Sequence, residues 1–288
     1  MPTAHTPTVG RRRLRLALRQ ARDAAGLTQE QVSVQMDWSL SKVIRIEAGS
    51  VGISTNDLKA LLRLYGVTGE TETQEFLALG RLARRRAWWN EYKEVLPPKF
   101  LEFIGLEADA QVHRNFQSVA VPGLMQTRAY AEAMVIGTAP HDLDPRTVDR
   151  LVQVRLRRRT GVLDREDPPT ILAILDESVL RRIVGSPAIM REQLEFLVEC
   201  AQRPTVTVRV LPFTAGPHPV MAGASLILEF PDADDRQVLY VENAMTGDIL
   251  EQRKEMGTYD RAFARLEQLA LDPAASVALV KKVVDELR

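Results

Sequence analysis

The sequence has few of the residues that most often build catalytic centres and covalent crosslinks. Cys200 is the only cysteine among 288 residues, so no disulfide can form within the chain. It falls beside Leu194 and Leu197 on an amphipathic helical pattern, where we expect a buried, inert thiol rather than a redox switch. The four histidines are scattered and match no metal-ligand spacing. We therefore predict no metal site.

Other signatures of catalysis and of membrane insertion are also missing. The sequence has no glycine-rich phosphate loop and no serine or cysteine nucleophile motif. It has no apolar run of membrane length, and Met1 to Gly10 lacks the charged-then-apolar layout of a secretory signal. We expect a cytoplasmic protein that is not an enzyme, does not bind membranes, and has no catalytic residues and no cofactor.

The chain does contain, near its N-terminal end, a pattern of two short helices joined by a tight turn. Thr28 is placed to cap the first helix, with Gln31 three residues later as in a capping box. Ser39 is placed to cap the second helix, and Gly49 suits the left-handed residue that ends it. This pattern indicates a helix-turn-helix.

The second of these helices has two different faces. Val43 and Ile46 are spaced to turn inward, towards apolar residues at helical spacing in the flanking segments. The solvent side is left with Leu40, Ser41, Lys42, Ile44 and Arg45. In a helix-turn-helix that side enters the major groove of DNA. An ordinary helical bundle that binds nothing is the alternative interpretation.

Residues 10 to 67 resemble the Xre-type helix-turn-helix of phage repressors and bacterial regulators. The resemblance implies contacts with phosphates or the DNA backbone from Gln29, Ser39 and Lys42. It implies contacts with base edges from Leu40, Ser41 and Arg45. The family usually has glycine in the turn, where this chain has Asp37-Trp38, so Asp37 has to adopt a left-handed or similar conformation. For Trp38 we favour packing over the turn to exposure against the DNA.

The charges are distributed in a way that suits this interpretation. Residues 1–90 contain 14 lysines and arginines against eight aspartates and glutamates, whereas the whole chain has 38 of each. The N-terminal part is therefore basic and the remainder acidic. A basic module can displace counterions from DNA phosphates, while the zero net charge of the whole chain limits non-specific binding to DNA.

The length and the composition, 45% hydrophobic and 26% charged, allow two globular domains. A helix is predicted from Glu72 to Tyr92, with an arginine run before Trp88 and Trp89, and prolines break it at Pro97. The arginines and tryptophans indicate either a nucleic-acid patch or a connecting helix, and we favour the connection. We predict a helix-turn-helix domain, a connecting helix with linker, and a regulatory domain over residues 1–70, 71–97 and 98–288.

The larger domain combines helices with a small sheet. The chain is predicted to be mostly helical from Phe100 to Gly161, and Val206, Val208 and Val210 then alternate with polar residues as in a half-buried strand. Strands are predicted over 170–175, 205–211, 224–230 and 238–241, and closing helices over 256–271 and 274–287. The predicted fold class is an all-α helix-turn-helix domain followed by an α+β domain with flanking helices.

The segment from about Leu101 to Leu287 resembles the C-terminal domain of many actinomycete Xre-type regulators, a domain of unknown biochemical activity sometimes described as antitoxin-like. The similarity is carried by runs such as Val121-Pro-Gly-Leu-Met-Gln-Thr-Arg-Ala-Tyr130 and Leu175-Asp-Glu-Ser178. It implies that the domain binds a small protein encoded by a neighbouring gene. Candidate partner or ligand residues are Pro122, Gly123, Gln126, Tyr130, Glu177 and Glu242.

The alternative to a binding role is that these residues only shape and stabilise a turn. Pro122-Gly123 sets a fixed bend between helices, Gln126 or Thr127 is placed to cap the next helix, and Tyr130 is placed to pack beneath it. The predicted function is a DNA-binding transcription regulator, a homodimer reading two half-sites of an operator, controlled by a partner or ligand. The alternative is an antitoxin-like interaction module that neutralises its partner and regulates its own gene. A nucleotide-dependent enzyme tethered to DNA is a third hypothesis.

Overall fold

The computed structural model describes residues 6–221, 223–231, 237–242, 247–250 and 253–287 of the chain. Contacts within the chain divide it into two compact units, Met1–Asn90 and Glu91–Arg288. We refer to them as the first unit and the second unit. In the described ranges, no helix combines the length and the apolar character that crossing a membrane requires.

The described part of the first unit consists of α-helices, most of which begin at a capping side chain. Thr6, Thr28, Ser39 and Ser54 each accept a hydrogen bond from a backbone N–H of the following turn. The capping box at Thr28 is complete, because Gln31 Oε1 accepts a hydrogen bond from the Thr28 N–H at 2.9 Å. The helices are α1 (Pro7–Ala24), α2 (Gln29–Gln35), α3 (Leu40–Glu47), α4 (Thr55–Leu64) and α5 (Glu70–Ala83).

The core of the first unit takes apolar side chains from all of these helices. Gly80 of α5 lies so close to α4 that a Cβ atom there would be 2.9 Å from Leu58 Cδ2. Helix α5, part of the segment predicted as a connection, therefore contributes to this core. The buried members are Leu14, Leu18, Val32, Val43, Ile46, Ile53, Leu58, Leu61, Leu62, Tyr65, Phe76 and Leu77.

The prediction of one helix over Glu72–Tyr92 is wrong at its C-terminal end. Helix α5 ends at Ala83, and a separate 3₁₀ helix covers Trp88–Tyr92, where the second of two adjacent tryptophans is buried. A tertiary contact holds the chain where α5 ends, because the guanidinium of Arg84 donates a hydrogen bond to the carbonyl of Ile53 at 3.0 Å. The arginine run offers no local signal for this break.

The second unit is a mixed sheet with helices on both faces, which confirms the predicted α+β class. Its helices are α6 (Pro98–Asp109), α7 (Arg128–Thr138), α8 (Pro145–Val162), α9 (Glu177–Arg181), α10 (Pro187–Cys200), α11 (Arg253–Leu269) and α12 (Pro273–Glu286). Its strands are β1 (Val112–Gln117), β2 (Thr170–Asp176), β3 (Val206–Leu211), β4 (Ser225–Glu229), β5 (Gln237–Glu242) and β6 (Gly247–Leu250). Short 3₁₀ helices cover Gly123–Met125 and Phe213–Ala215.

Within the described residues the strands lie in the order β3-β2-β1-β4-β5-β6. Strands β1, β2 and β3 are parallel to one another, whereas β4 runs antiparallel to β1, and β5 and β6 continue the antiparallel half. The centre of the sheet is therefore β1, where the parallel half meets the antiparallel half. The connection after β1 leads to β2 on one side, and the connection after β3 leads to β4 on the other side of β1. In open α/β sheets, ligands usually bind outside the carboxyl ends of strands at such a change of direction.

The four predicted strands are all present, and the alternation of Val206, Val208 and Val210 matches their burial on β3. The prediction of mostly helix between Phe100 and Gly161 is wrong at β1, and the short strand β6 was also missed. Strand β1 reads Val-His-Arg-Asn-Phe-Gln, and its polar residues stand on both faces, so the apolar alternation of a half-buried strand is absent.

The sheet separates two apolar cores. Ile171, Ala173 and Leu175 of β2 pack on one face against residues of α10 and α12, while Ile174 packs on the other against residues of α11. Cys200 lies fully buried in the first of these cores, and its burial raises the pKa of the thiol to about 11. The expectation of a buried thiol is confirmed.

Candidate functional site

Helices α2 and α3 form the helix-turn-helix, and the turn between them has the predicted conformation. Asp37 has a φ of 52°, in the left-handed region. The N–H of Trp38 donates a hydrogen bond to the carbonyl of Ser33 at 2.9 Å, which closes the end of α2. The indole of Trp38 is half-buried and packs against the core of the first unit. The favoured interpretation, packing rather than exposure, agrees with this placement.

Lys42, which the resemblance implies lies over a phosphate, has two intramolecular partners. Its ammonium lies 3.7 Å from the centroid of the Trp38 ring and 3.2 Å from Asp57 Oδ2. Asp57 belongs to the first turn of α4, so this contact ties α3 to α4. Both charged groups are partly exposed, and such a pair contributes at most about 1 kcal/mol. The ammonium therefore remains exchangeable with a stronger anion.

The outer face of α3 is exposed and contains both polar and apolar side chains. Ser39 and Ser41 are exposed at its start, and Arg45 extends along it with Nε donating to the carbonyl of Ser41 at 3.3 Å. Leu40 and Ile44 are 37% and 44% exposed, although both are large and apolar. Four of the predicted DNA-contacting residues, together with Ile44, thus share one accessible surface.

A buried ion pair holds α3 in place from behind. Glu47, at the end of α3, accepts hydrogen bonds from Arg22 Nε at 2.7 Å and Arg22 Nη2 at 3.2 Å. Gln29, the predicted phosphate contact at the start of α2, donates from Nε2 to Glu47 Oε2 at 2.8 Å. The hydrogen bond to Glu47 raises the pKa of the Arg22 guanidinium. Sequence reasoning missed this pair, whose members are 25 residues apart.

In the second unit, the segment from Val121 to Tyr130 is a buried turn. The hydroxyl of Tyr130 accepts a hydrogen bond from the Val121 N–H at 3.2 Å, and Gln126 Nε2 donates to the Val121 carbonyl at 2.8 Å. Thr127 caps α7, and Gln193 clamps the turn by accepting from the Thr127 N–H at 2.8 Å. Gln126 and Tyr130 are buried and stabilise this turn, so neither side chain offers surface to a partner protein.

Pro122 and Gly123 line a small cavity of about 40 Å³ beside β1. His113, Asn115 and Gln117 alternate along β1 and therefore all point to this cavity from one face of the strand. Further lining comes from Phe103, Glu107, Leu124, Met125, Arg158, Ile171, Ala224, Ser225, Leu226 and Tyr240. The period-two spacing of the polar residues in β1 was the available sequence signal for this cavity.

The charges in the cavity neutralise each other. Arg158 makes two hydrogen bonds to Glu107, from Nε at 2.7 Å and from Nη2 at 2.8 Å, and both residues are buried. The guanidinium lies 5.1 Å from the centroid of Phe100 and 5.2 Å from that of Phe103. His113 Nε2 is 3.1 Å from the Glu107 carbonyl, and burial lowers the pKa of this histidine to about 4. At neutral pH the polar lining therefore suits a small uncharged group.

The two acidic residues among the partner or ligand candidates lie at the same end of the sheet as the turn over Val121–Tyr130, according to strand register. Glu177 follows β2 and its carboxylate accepts hydrogen bonds from Arg181 Nε and the Phe213 N–H, both at 3.0 Å. Glu242 ends β5, and its side chain lies outside the described residues. Among the residues that the structure describes, no group of three or more histidines, cysteines or acidic residues is arranged to hold a metal ion.

Comparison with protein families gives a match to each unit. Residues 100–282 match the family described as Domain of unknown function (DUF5753). Residues 13–76 match the family described as Helix-turn-helix domain, a range that starts in α1 and ends in α5. No curated protein and no solved structure matches the chain.

Replacing Glu47 with glutamine is expected to destabilise the first unit by about 3–5 kcal/mol, because Arg22 stays buried without its counter-charge. The matched control is Asp23→Asn, which removes the other carboxylate at 2.8 Å from Arg22; that carboxylate is 62% exposed, and about 0–1 kcal/mol is expected. Urea unfolding followed by tryptophan fluorescence measures both, since all three tryptophans lie in residues 1–90. Equal effects of the two variants would contradict the role of the Glu47 pair.

The buried His113 predicts a dependence of stability on pH. Its pKa is about 4 in the folded chain against an ordinary value of 6.5, so between these values only the unfolded chain takes up the proton. The free energy of unfolding of the second unit should therefore decrease by up to about 1.4 kcal/mol per pH unit as the pH falls from 6.5 towards 4, and this contribution should be flat above 6.5.

The variant His113→Gln should lose less stability than wild type as the pH falls below 6.5. The control His141→Gln changes an exposed histidine and should lose as much stability as wild type. Circular dichroism during urea unfolding at pH 7 and pH 5 provides the measurement. If wild type and His113→Gln lose the same stability between these pH values, then His113 is not the group responsible.

Proposed function

The chain belongs to the DUF5753 family and has a helix-turn-helix domain at its N-terminal end, and from this we propose that it is a sequence-specific DNA-binding transcription regulator. The observation that carries the proposal is the outer face of α3, which is exposed and backed by a buried ion pair that fixes its orientation. The excess of basic residues in residues 1–90 supports attraction to phosphates. We assign the first unit to the Xre type.

In the proposed complex, α3 lies in the major groove and presents Leu40, Ser41 and Arg45 to base edges. Arg45 is the specific reader, because its guanidinium fits the two acceptors of guanine in the groove. The backbone contacts that position the unit come from Gln29, Ser39 and Lys42. Lys42 reaches a phosphate by exchanging its ion pair with Asp57, which costs little because that pair is partly exposed.

The proposed assembly on DNA is a homodimer. One recognition helix covers too few base pairs for the specificity that an operator needs, whereas a twofold dimer reads two half-sites about one helical turn apart. We propose that the second unit supports the dimer and also receives the regulatory signal. A signal then needs only to change the spacing of the two recognition helices.

Arg45→Ala should lose roughly 1–3 kcal/mol of affinity for the operator and little affinity for random DNA. Lys42→Ala should instead weaken binding to all sequences and lower the salt slope by about one unit. The operator is first recovered by selecting duplexes from a random pool with the full chain, and affinities are then measured by fluorescence anisotropy. Light scattering on the same samples should give two chains per operator.

A wild-type ratio of operator to random-DNA affinity in Arg45→Ala would mean that α3 does not read bases through this residue. Failure of the full chain to enrich any sequence from the pool would contradict the proposal of a sequence-specific regulator. One chain per operator would contradict the homodimer.

We further propose that a small protein partner or a ligand acts on the second unit near the segment after β1. Support comes from Pro122 and Gly123, which line the neutral polar cavity, and from the backbone positions of Glu177 and Glu242 at the same end of the sheet. Such a receptor needs no catalytic turnover. It is enough that the partner or ligand binds two conformations of the second unit with different affinities. An antitoxin-like role shares this partner surface and differs in making neutralisation of the partner the main task.

Reciprocity of binding gives the test of this control. A partner that releases the operator must itself bind more weakly, by the same factor, when operator is present. The probe is the small protein recovered with the full chain by pull-down from its native host, titrated by calorimetry with and without operator. Equal affinities in the two titrations would rule out control of DNA binding by that protein, and nucleotide consumption by the purified chain would contradict the absence of turnover.

A further inference from the structure

Two large apolar side chains lie on the face of α3 that the proposed function places in the major groove. Leu40 and Ile44 are 37% and 44% exposed, and the other exposed large apolar residue in the described part of the first unit is Val34 on α2. Residues four apart on a helix lie on the same side, so Leu40 and Ile44 form one apolar strip along α3. Ser41 and Arg45 flank this strip.

The chemistry of the major groove limits what such a strip can contact. Guanine, cytosine and adenine are recognised there through hydrogen-bond donors and acceptors, whereas thymine adds an apolar C5 methyl group. An isoleucine or leucine against a donor or acceptor would desolvate it without giving a partner, which costs free energy. Against a thymine methyl group, both apolar surfaces leave water together.

We infer that Leu40 and Ile44 read the C5 methyl groups of two thymines in each half-site of the operator. This inference rests on the proposed function and adds specificity residues to it. Arg45 and Ser41 lie beside the apolar strip. Because Arg45 is proposed to read guanine, we expect each half-site to contain both thymine and guanine. The basic balance of residues 1–90 favours DNA as the occupant of this face over a second protein surface.

Helix geometry also fixes the spacing of the two thymines. A rise of about 1.5 Å per residue separates Leu40 from Ile44 by about 6 Å along the axis of α3. Base pairs of B-DNA are about 3.4 Å apart. With α3 along the groove, the two methyl groups therefore belong to thymines about two base pairs apart.

The test uses the operator recovered by selection with the full chain. Each thymine of one half-site is replaced in turn by deoxyuridine, which removes the methyl group and leaves every hydrogen-bonding group in place. For wild type we expect about a fourfold loss of affinity at each of two positions, the effect of re-exposing one methyl group. All other replacements should change affinity less than twofold.

The variants Leu40→Ala and Ile44→Ala should each become insensitive to deoxyuridine at one of the two positions and keep sensitivity at the other. The matched control is Val34→Ala, which shortens an exposed apolar side chain outside α3 and should keep both sensitivities. The three residues are partly exposed, and thermal unfolding should give the same Tm for all variants within a few degrees.

Two results would overturn the inference while leaving the proposed function intact. One is a selected operator on which no deoxyuridine replacement weakens wild-type binding. The other is an Ile44→Ala or Leu40→Ala variant that retains both sensitivities. Selection of no sequence at all would instead contradict the proposed function, so the two failures are distinguishable.

Discussion

The carboxylate of Glu47 is the group on which the geometry of the first unit depends. It lies at the end of α3 and binds Arg22 of α1 and Gln29 of α2, so the motif helices and α1 meet at one buried charge. Such a charge is stable away from water only when its partners are positioned correctly. The orientation of α3, and with it the direction in which Arg45 points, is therefore coupled to the folding of the whole unit.

The second unit also contains a buried arginine–glutamate ion pair, and there the pair leaves a cavity lining without net charge. Arg158 and Glu107 join α8 to α6, and Gly123 passes so close that a Cβ atom there would be 3.3 Å from Arg158 Nη1. Both residues line the cavity beside β1, and their opposite charges cancel. Together with the neutral His113, it leaves a polar but uncharged lining, which contrasts with the basic first unit.

The parts of this protein that could be predicted from sequence are those with local causes. Thr28, Ser39 and the left-handed Asp37 follow from contacts within a few residues, and the alternation in β3 follows from its half-buried face. Strand β1 escaped prediction because polar side chains stand on both of its faces, His113 and Asn115 on one and Arg114 on the other. The two ion pairs escaped because their members lie 25 and 51 residues apart, and the tertiary fold alone brings them together. The exposed face of α3 was predictable, whereas the engagement of Lys42 by Trp38 and Asp57 was not.

The mixed sheet has a consequence for the order in which the chain is completed during synthesis. Strand β1 pairs with β4 across more than 100 residues, Phe116 opposite Ser225, so the centre of the second unit stays open until the antiparallel half has left the ribosome. The first unit needs only residues up to about position 90. At roughly 5–20 residues per second, synthesis from the end of the first unit to the antiparallel strands takes on the order of ten seconds or more. A nascent chain therefore carries its finished helix-turn-helix well before the rest of the molecule has closed.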